Sequence, residues 1–207
     1  MNHITSSTDD QMSAQLNTLQ LKELRKMRLL LHCCCAPCAS YVIKHLESEY
    51  DITLFFYNPN IEPYEEYIRR YNELERLSVM YSLLYKKRID ILKSDYDNAI
   101  FTEAVRAYRD ESEGGVRCRL CFDIRLGETA RQAKAFGFDI FGTTLSVSPH
   151  KNAAILNDSG ITQSTEHNIL YLEADFKKEN GYMQSVELSK RYELYRQNYC
   201  GCIYSKR

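Results

Sequence analysis

Arg28-Leu29-Leu30-Leu31-His32-Cys33-Cys34-Cys35-Ala36-Pro37-Cys38 is the stretch on which the fold turns. Leu29 to His32 reads as a short buried strand, and Ala36 to Glu49 as the helix that follows it, with Pro37 where a missing N–H costs nothing. Strand passes to helix with only three cysteines between them.

Outward from that unit the same rhythm repeats. Ile52 to Tyr57 reads as a second strand, and Pro63 to Tyr85 as a long amphipathic helix with Tyr67, Leu74, Leu77, Tyr81 and Leu84 at helical spacing. Ile89 to Leu92 reads as a third strand. Asp95 to Tyr108 and Leu120 to Phe136 read as helices separated by Glu113-Gly114-Gly115. Phe138 to Thr144 makes a fourth strand, Lys151 to Asp158 a short helix ending at Gly160, Ile169 to Leu172 a fifth strand and Tyr182 to Arg196 the last helix. Such alternation predicts the α/β class: a single domain with a mostly parallel sheet flanked by helices. Ligands of open parallel sheets sit at the carboxyl ends of the strands, which places His32 to Cys38, Tyr57 to Pro63 and Thr143 to His150 along one rim.

With 207 residues, 27 basic against 28 acidic side chains and 44% hydrophobic residues, the chain is of ordinary globular composition and suits one core. A neutral total can hide a local basic face, so a nucleic-acid ligand remains open. Residues 1–25 form a polar extension, and residues 26–207 the expected α/β domain. Met1 to Gln20 lacks the apolar run of a signal peptide or membrane span, so the expected location is the cytoplasm, with no membrane partner.

In that compartment eight cysteines point to metal binding or redox chemistry rather than a disulfide framework. Cys33, Cys34, Cys35 and Cys38 open a helix, where unpaired N–H groups and the positive dipole end favour thiolate. Packing behind the sheet is the plainer use of one of them, Cys33 first. Cys118-Arg119-Leu120-Cys121 is a weak signal alone but complements the first set, since a cluster takes four thiolates. Zinc ribbons keep their two pairs within roughly 15 to 20 residues. Here residues 39–117 intervene, which favours iron-sulfur over a structural zinc. Cys200-Gly201-Cys202 can form a strained, labile disulfide around a flexible glycine; the alternative is two surface thiols.

Four segments together resemble the QueH family of epoxyqueuosine reductases: Leu31 to Cys38, Phe55-Phe56-Tyr57-Asn58-Pro59-Asn60-Ile61, Cys118-Arg119-Leu120-Cys121-Phe122, and Tyr195-Arg196-Gln197-Asn198-Tyr199-Cys200-Gly201-Cys202. The resemblance spans Arg28 to the C-terminus. It implies a nucleotide-binding (HUP-like) α/β sandwich and a cytosolic enzyme acting on tRNA that carries epoxyqueuosine at the wobble position, where it removes the epoxide oxygen. It also implies a [4Fe-4S] cluster, a nearby mononuclear iron or other divalent metal, and no cobalamin. Cys34, Cys35, Cys118 and Cys121 match the characteristic cysteines. Cys38 stands where some members carry Asp, which suggests a ligand of the second metal, whereas Cys33 is not part of the pattern.

Epoxide reduction to an alkene takes two electrons and two protons and releases water. The expected division of labour is a cluster and a metal that bind and reduce the epoxide, with Cys200 and Cys202 relaying reducing equivalents from an unidentified electron donor. His32 is a candidate proton donor, though a lone strand-end His is more often packed. Asn58 and Asn60 can read a hydroxylated ring or base edge, or simply stabilise a turn. Tyr57 can stack on a base or end its strand as an ordinary aromatic. Among the basic residues, Arg117 and Arg119 bracket Cys118 and are the candidates for phosphate contact, against the default of a solvated helix face. The other classes in view are a zinc-binding interaction module with a four-cysteine site, and a nucleotide-dependent synthetase, which lacks its glycine-rich phosphate cradle here.

Overall fold

The computed structural model describes residues 25–206; most of the polar extension lies outside them. Arg25, at its end, already holds Asp139 through two 2.7 Å hydrogen bonds.

Five strands, β1 (Met27–His32), β2 (Tyr50–Phe56), β3 (Asp90–Lys93), β4 (Ile140–Thr143) and β5 (Leu170–Tyr171), form one sheet in the order β3-β2-β1-β4-β5. Every pairing is parallel. The chain winds outward from β1 to β3, then crosses back to β4 on the other side of β1. In such sheets ligands bind at that reversal, here the carboxyl ends of β1 and β4.

Helices α1 (Ala36–Leu46), α2 (Tyr64–Tyr85), α3 (Asn98–Ala104), α4 (Val116–Ala135), α5 (Ala153–His167) and α6 (Gly181–Arg191) complete the domain. Side chains alternate across a strand, so β1 feeds two cores. Leu29, Leu31 and then Cys33 join the core beneath α1, α2 and α6. Leu30, Cys34 and Cys35 join the one beneath α4 and α5. All three leucines are fully buried, each contributing roughly 1.5–3 kcal/mol.

Several element bounds differ from the sequence expectation, each for a local reason. The segment from Asp95 to Tyr108 is broken: Asp97 caps α3 through the Ala99 amide, and Val105 leaves helical geometry before a short 3-10 turn at Arg106–Tyr108. Helix α4 starts at Val116 rather than Leu120, because the Glu111 carboxylate accepts from the Val116 amide at 2.7 Å and satisfies a free donor of the first turn. Gly160 does not end α5 but lies inside it, where a Cβ would collide with the Tyr171 ring. The helix instead stops at Asn168, in left-handed geometry at φ 48°. Helix α6 ends at Arg191 instead of Arg196, since Glu193 turns left-handed at φ 52°.

Beyond that turn the chain becomes a strap laid along α2. Glu73 accepts from the Tyr195 amide at 2.8 Å, and Arg76 donates to the carbonyls of Tyr192 and Glu193. Tyr199 donates to the Glu62 carbonyl at 2.7 Å, and the Glu62 amide donates to the Gly201 carbonyl at 2.9 Å. The last cysteine pair is thereby carried to the β2 exit. None of the helices among the described residues is long and apolar enough to cross a membrane.

Candidate active site

His32 closes β1 in register with Phe55 of β2 and Thr143 of β4, so three strand ends align. Past His32 the alternation sends Cys33 to the α1 side, where it is fully buried and its thiol donates to the Phe55 carbonyl at 3.6 Å. Cys34 goes to the α4 side, and Cys35 occupies the N-cap of α1 without a side-chain cap bond. Their sulfurs lie 3.9 Å apart. Cys38, half-buried, packs against both cores.

Helix α4 brings the second pair. Cys118 packs against the apolar cluster that contains Cys34 and Cys35, and its sulfur accepts from the Gly114 amide at 3.2 Å. Cys121, one turn on and buried, shares a smaller cluster with Phe101, Val105 and Cys202. Cys202 is therefore a core contact, while Cys200 is half-buried with its sulfur 3.0 Å from Lys151 Nζ. Gly201, at φ +122°, makes the turn between them, and a Cβ there would press on Ile61 and Arg70. All eight cysteines are free thiols.

Three cations converge on these sulfurs. Arg125 is 1% exposed; it donates to Asn58 Oδ1 at 2.7 Å, and its Nη1 lies 3.8 Å from Cys121 Sγ. Its charge also bears on Cys34 and Cys200. Arg70, equally buried, donates to Glu66 at 2.7 Å and to the carbonyls of Tyr199 and Cys200, fixing the strap beside Cys34 and Cys35. Lys151, from the loop that follows β4, completes the set. Arg70 alone of the three has a carboxylate partner among their hydrogen bonds.

Burial opposes the thiolates that the helix N-termini would favour at Cys34, Cys35 and Cys121. Hydrogen bonding with Cys35, then desolvation, raises the Cys34 thiol well above its ordinary value. Cys35 is pulled down by Cys34 but pushed up by Cys38 and burial, and rests at about 11. Burial, then the nearby Cys200, lifts Cys121 to about 11 despite Arg125. Charged thiolates here require further positive charge.

A sequence model described as Epoxyqueuosine reductase QueH matches residues 29–207. The chain belongs to the QueH family. Relatives named Epoxyqueuosine reductase QueH include one from Streptococcus pyogenes serotype M1, 41% identical over 196 residues that cover 95% of this chain and 77% of the relative. Another, from Acinetobacter baylyi, is 40% identical over 87% of this chain and 81% of its own. A third, from Thermotoga maritima, is 36% identical over 86% and 89%. A solved structure titled a predicted subunit of tRNA methyltransferase from Methanocaldococcus jannaschii shares the fold at TM-score 0.50 and 12% identity, covering 79% of this chain and 74% of that one.

Within this QueH chain the other candidate residues are placed less as the sequence suggested. His32 is fully buried. Its Nε2–H donates to the Tyr57 carbonyl at 3.1 Å, an atom that can only accept, so its Nδ1 accepts from Thr143 Oγ1 at 3.0 Å; Arg125 Nε lies 3.4 Å from the same Nε2, which in this tautomer has no lone pair to offer it. Burial, reinforced by Arg125, holds its pKa well below the ordinary histidine value. A neutral, fully engaged imidazole is a strut between strands, which corrects the proton-donor expectation. Asn58 is likewise committed, donating to the Cys33 carbonyl at 2.9 Å and accepting from Arg125. Tyr57 is buried and stacked on Phe55.

Asn60 differs: it is 1% exposed, and both amide atoms lack a partner among the described residues. Its amide lies under the Gly201 turn. Arg117 is not available to phosphate, because its buried guanidinium donates to the carbonyls of Tyr108, Arg109 and Glu111. Arg119 is ion-paired with Asp123 and Asp158. The inward roles of Arg70, Arg125 and Lys151 are what sequence reasoning missed, since a cation on a helix or in a loop carries no mark of which way it faces. Among the described residues, no three His, Cys, Asp or Glu groups stand close enough together to hold a metal ion.

Proposed function

We propose that this chain reduces the epoxide of epoxyqueuosine at the tRNA wobble position, in the cytoplasm, with Cys34, Cys35, Cys118 and Cys121 as ligands of a [4Fe-4S] cluster and Cys38 serving a second metal. The observation that carries this reading is the gathering of thiols from three distant segments around Arg125 and Lys151 at the β1 exit. The chemistry of the donor set suits such a group, though its sulfurs stand wider apart here than ligands of one metal: they are soft, and Arg125 and the part-buried Lys151 have no carboxylate among the described residues to balance them, as thiolates around a metal would. Bound there, the cluster would supply electrons singly, and the second metal a Lewis acid for the epoxide oxygen.

The chain's own residues do the rest. Arg125 and Asn58 fix the loop leaving β2 against α4, and Arg70 holds the strap beside Cys34 and Cys35. Asn60, with an unused donor and acceptor, suits a polar substrate edge beneath that strap. Tyr57 and Phe55 form the apolar wall beside Cys34 and Cys35. Cys200 and Cys202 cycle between dithiol and disulfide to relay electrons from a donor protein. A single unstacked loop base is the form of RNA that such a site accepts.

Anaerobic purification should give a brown protein with iron and sulfide that converts epoxyqueuosine in tRNA from cells lacking the reductase. A colourless, active protein holding only stoichiometric zinc would overturn the cofactor assignment.

A further inference from the structure

Loss of the epoxide oxygen as water needs two protons, and His32 is neutral, buried and engaged at both nitrogens. Lys151 stands where an acid is wanted. Its ammonium, part-buried, reaches Cys200 Sγ at 3.0 Å and lies 6.0 Å from the centre of the Phe122 ring, and it interacts electrostatically with Cys34, Cys121 and Arg125. Its backbone carbonyl is held by Lys177 at 3.1 Å, which anchors the residue from the solvent side.

We propose that Lys151 delivers a proton to the departing oxygen, and that oxidation of Cys200 triggers the release. This rests on the reading that Cys200 and Cys202 cycle as a redox pair. Nζ and Cys200 Sγ share a proton, and Cys202 carries a second. Both C–O bonds of the epoxide break and a C=C bond forms, while an S–S bond forms between Cys200 and Cys202 and yields two electrons. The shared proton, through Nζ, and the Cys202 proton leave with the oxygen as water. An external dithiol or reductase then returns two electrons and two protons to the disulfide.

The electrostatics supply the trigger. Burial pushes the Lys151 ammonium down, and Arg125 does the same; the Cys200 sulfur, as charge and hydrogen-bond acceptor, outweighs both and holds its pKa above the ordinary lysine value. Once that sulfur is tied into a disulfide it can no longer take the ammonium's proton or oppose its charge, and the part-buried site beside Arg125 makes the ammonium a stronger acid. Proton release is thereby coupled to electron loss.

The test uses the anaerobically purified full chain with its metals and epoxyqueuosine-bearing tRNA, in single turnover. Lys151→Met should slow product formation by about 100-fold or more, the scale of a lost general acid, with iron content unchanged. Lys151→Arg should stay slow although it keeps the charge. Lys151→Ala should recover in ethylammonium chloride but not in choline chloride at equal ionic strength, because choline has no proton to give; rescue also proves the variant folded. A Lys151→Met rate within threefold of the parent, or no difference between the two salts, overturns the assignment. Cys200→Ser and Cys202→Ser separate the two readings. If they turn over repeatedly, the relay fails and takes the proposal with it; if they do not, and rescue is absent, only the Lys151 role falls.

Discussion

Arg125 donates through Nη2 to Asn58 Oδ1 at 2.7 Å, and this bond ties helix α4 to the loop leaving β2 beside the thiols. Because Asn58 passes the link on to the Cys33 carbonyl, the second cysteine pair is keyed to the first through two side chains. Arg125→Met strands the Asn58 oxygen in a buried position. We expect a loss of about 2 kcal/mol in urea unfolding, with Asn58→Leu costing less in that background, where only its bond to the Cys33 carbonyl remains to be lost, than in the parent. Additive losses would show that the two residues act separately.

Arg70 predicts the behaviour of the strap. Its guanidinium holds Glu66 on one side and the carbonyls of Tyr199 and Cys200 on the other, all in a buried setting. Arg70→Gln should free the last turn, so that iodoacetamide labels Cys200 and Cys202 at least several-fold faster, read by mass spectrometry. Cys33, in the far core, should label no faster than before; equal acceleration at Cys33 would mean general unfolding instead.

The sheet was legible because β1 and the first turn of α1 declare themselves: Leu29 to Leu31 is a run too short for a helix, and Pro37 marks where one starts. Element ends were not, because they depend on partners far along the chain, as Glu111 starts α4 and Tyr171 requires Gly160 within α5. Cysteine is rare enough that its placement alone marked the candidate site. The residues between the sulfurs resisted reading. A buried Arg125 and a solvated Arg131 look alike in sequence, since both lie on α4, yet one meets a thiol and an amide and the other the exposed side of Glu128.

Arg117 and Arg119 are neighbours with opposite expected effects. Arg117→Ala leaves the carbonyls of Arg109 and Glu111 without their donor, Tyr108 keeping the Glu111 amide, and should cost roughly 2 kcal/mol. Arg119→Ala breaks part-exposed pairs with Asp123 and Asp158 and should cost at most about 1 kcal/mol. Neither should change the salt dependence of tRNA binding, because neither charge is free to replace counterions. A slope reduced by about one in either variant would place that residue on phosphate.

Glu73 gives the strap a pH limit. Its carboxylate accepts from Arg76 and from the Tyr195 amide, and although burial pushes its pKa up, these bonds prevail and hold it below the ordinary carboxylate value. The folded state thus binds a proton less readily than the unfolded chain. The stabilisation is complete above the unfolded pKa, about 4.3, and is lost as pH falls through the lower folded value. Hydrogen exchange at the amides of residues 193–202, corrected for intrinsic rate, should be protected at pH 6 and lose protection below pH about 4, ahead of the β1 amides. In Glu73→Gln, which cannot titrate, the strap should exchange faster at pH 6 and show no such step. A step of the same size in that variant would assign the transition to another group.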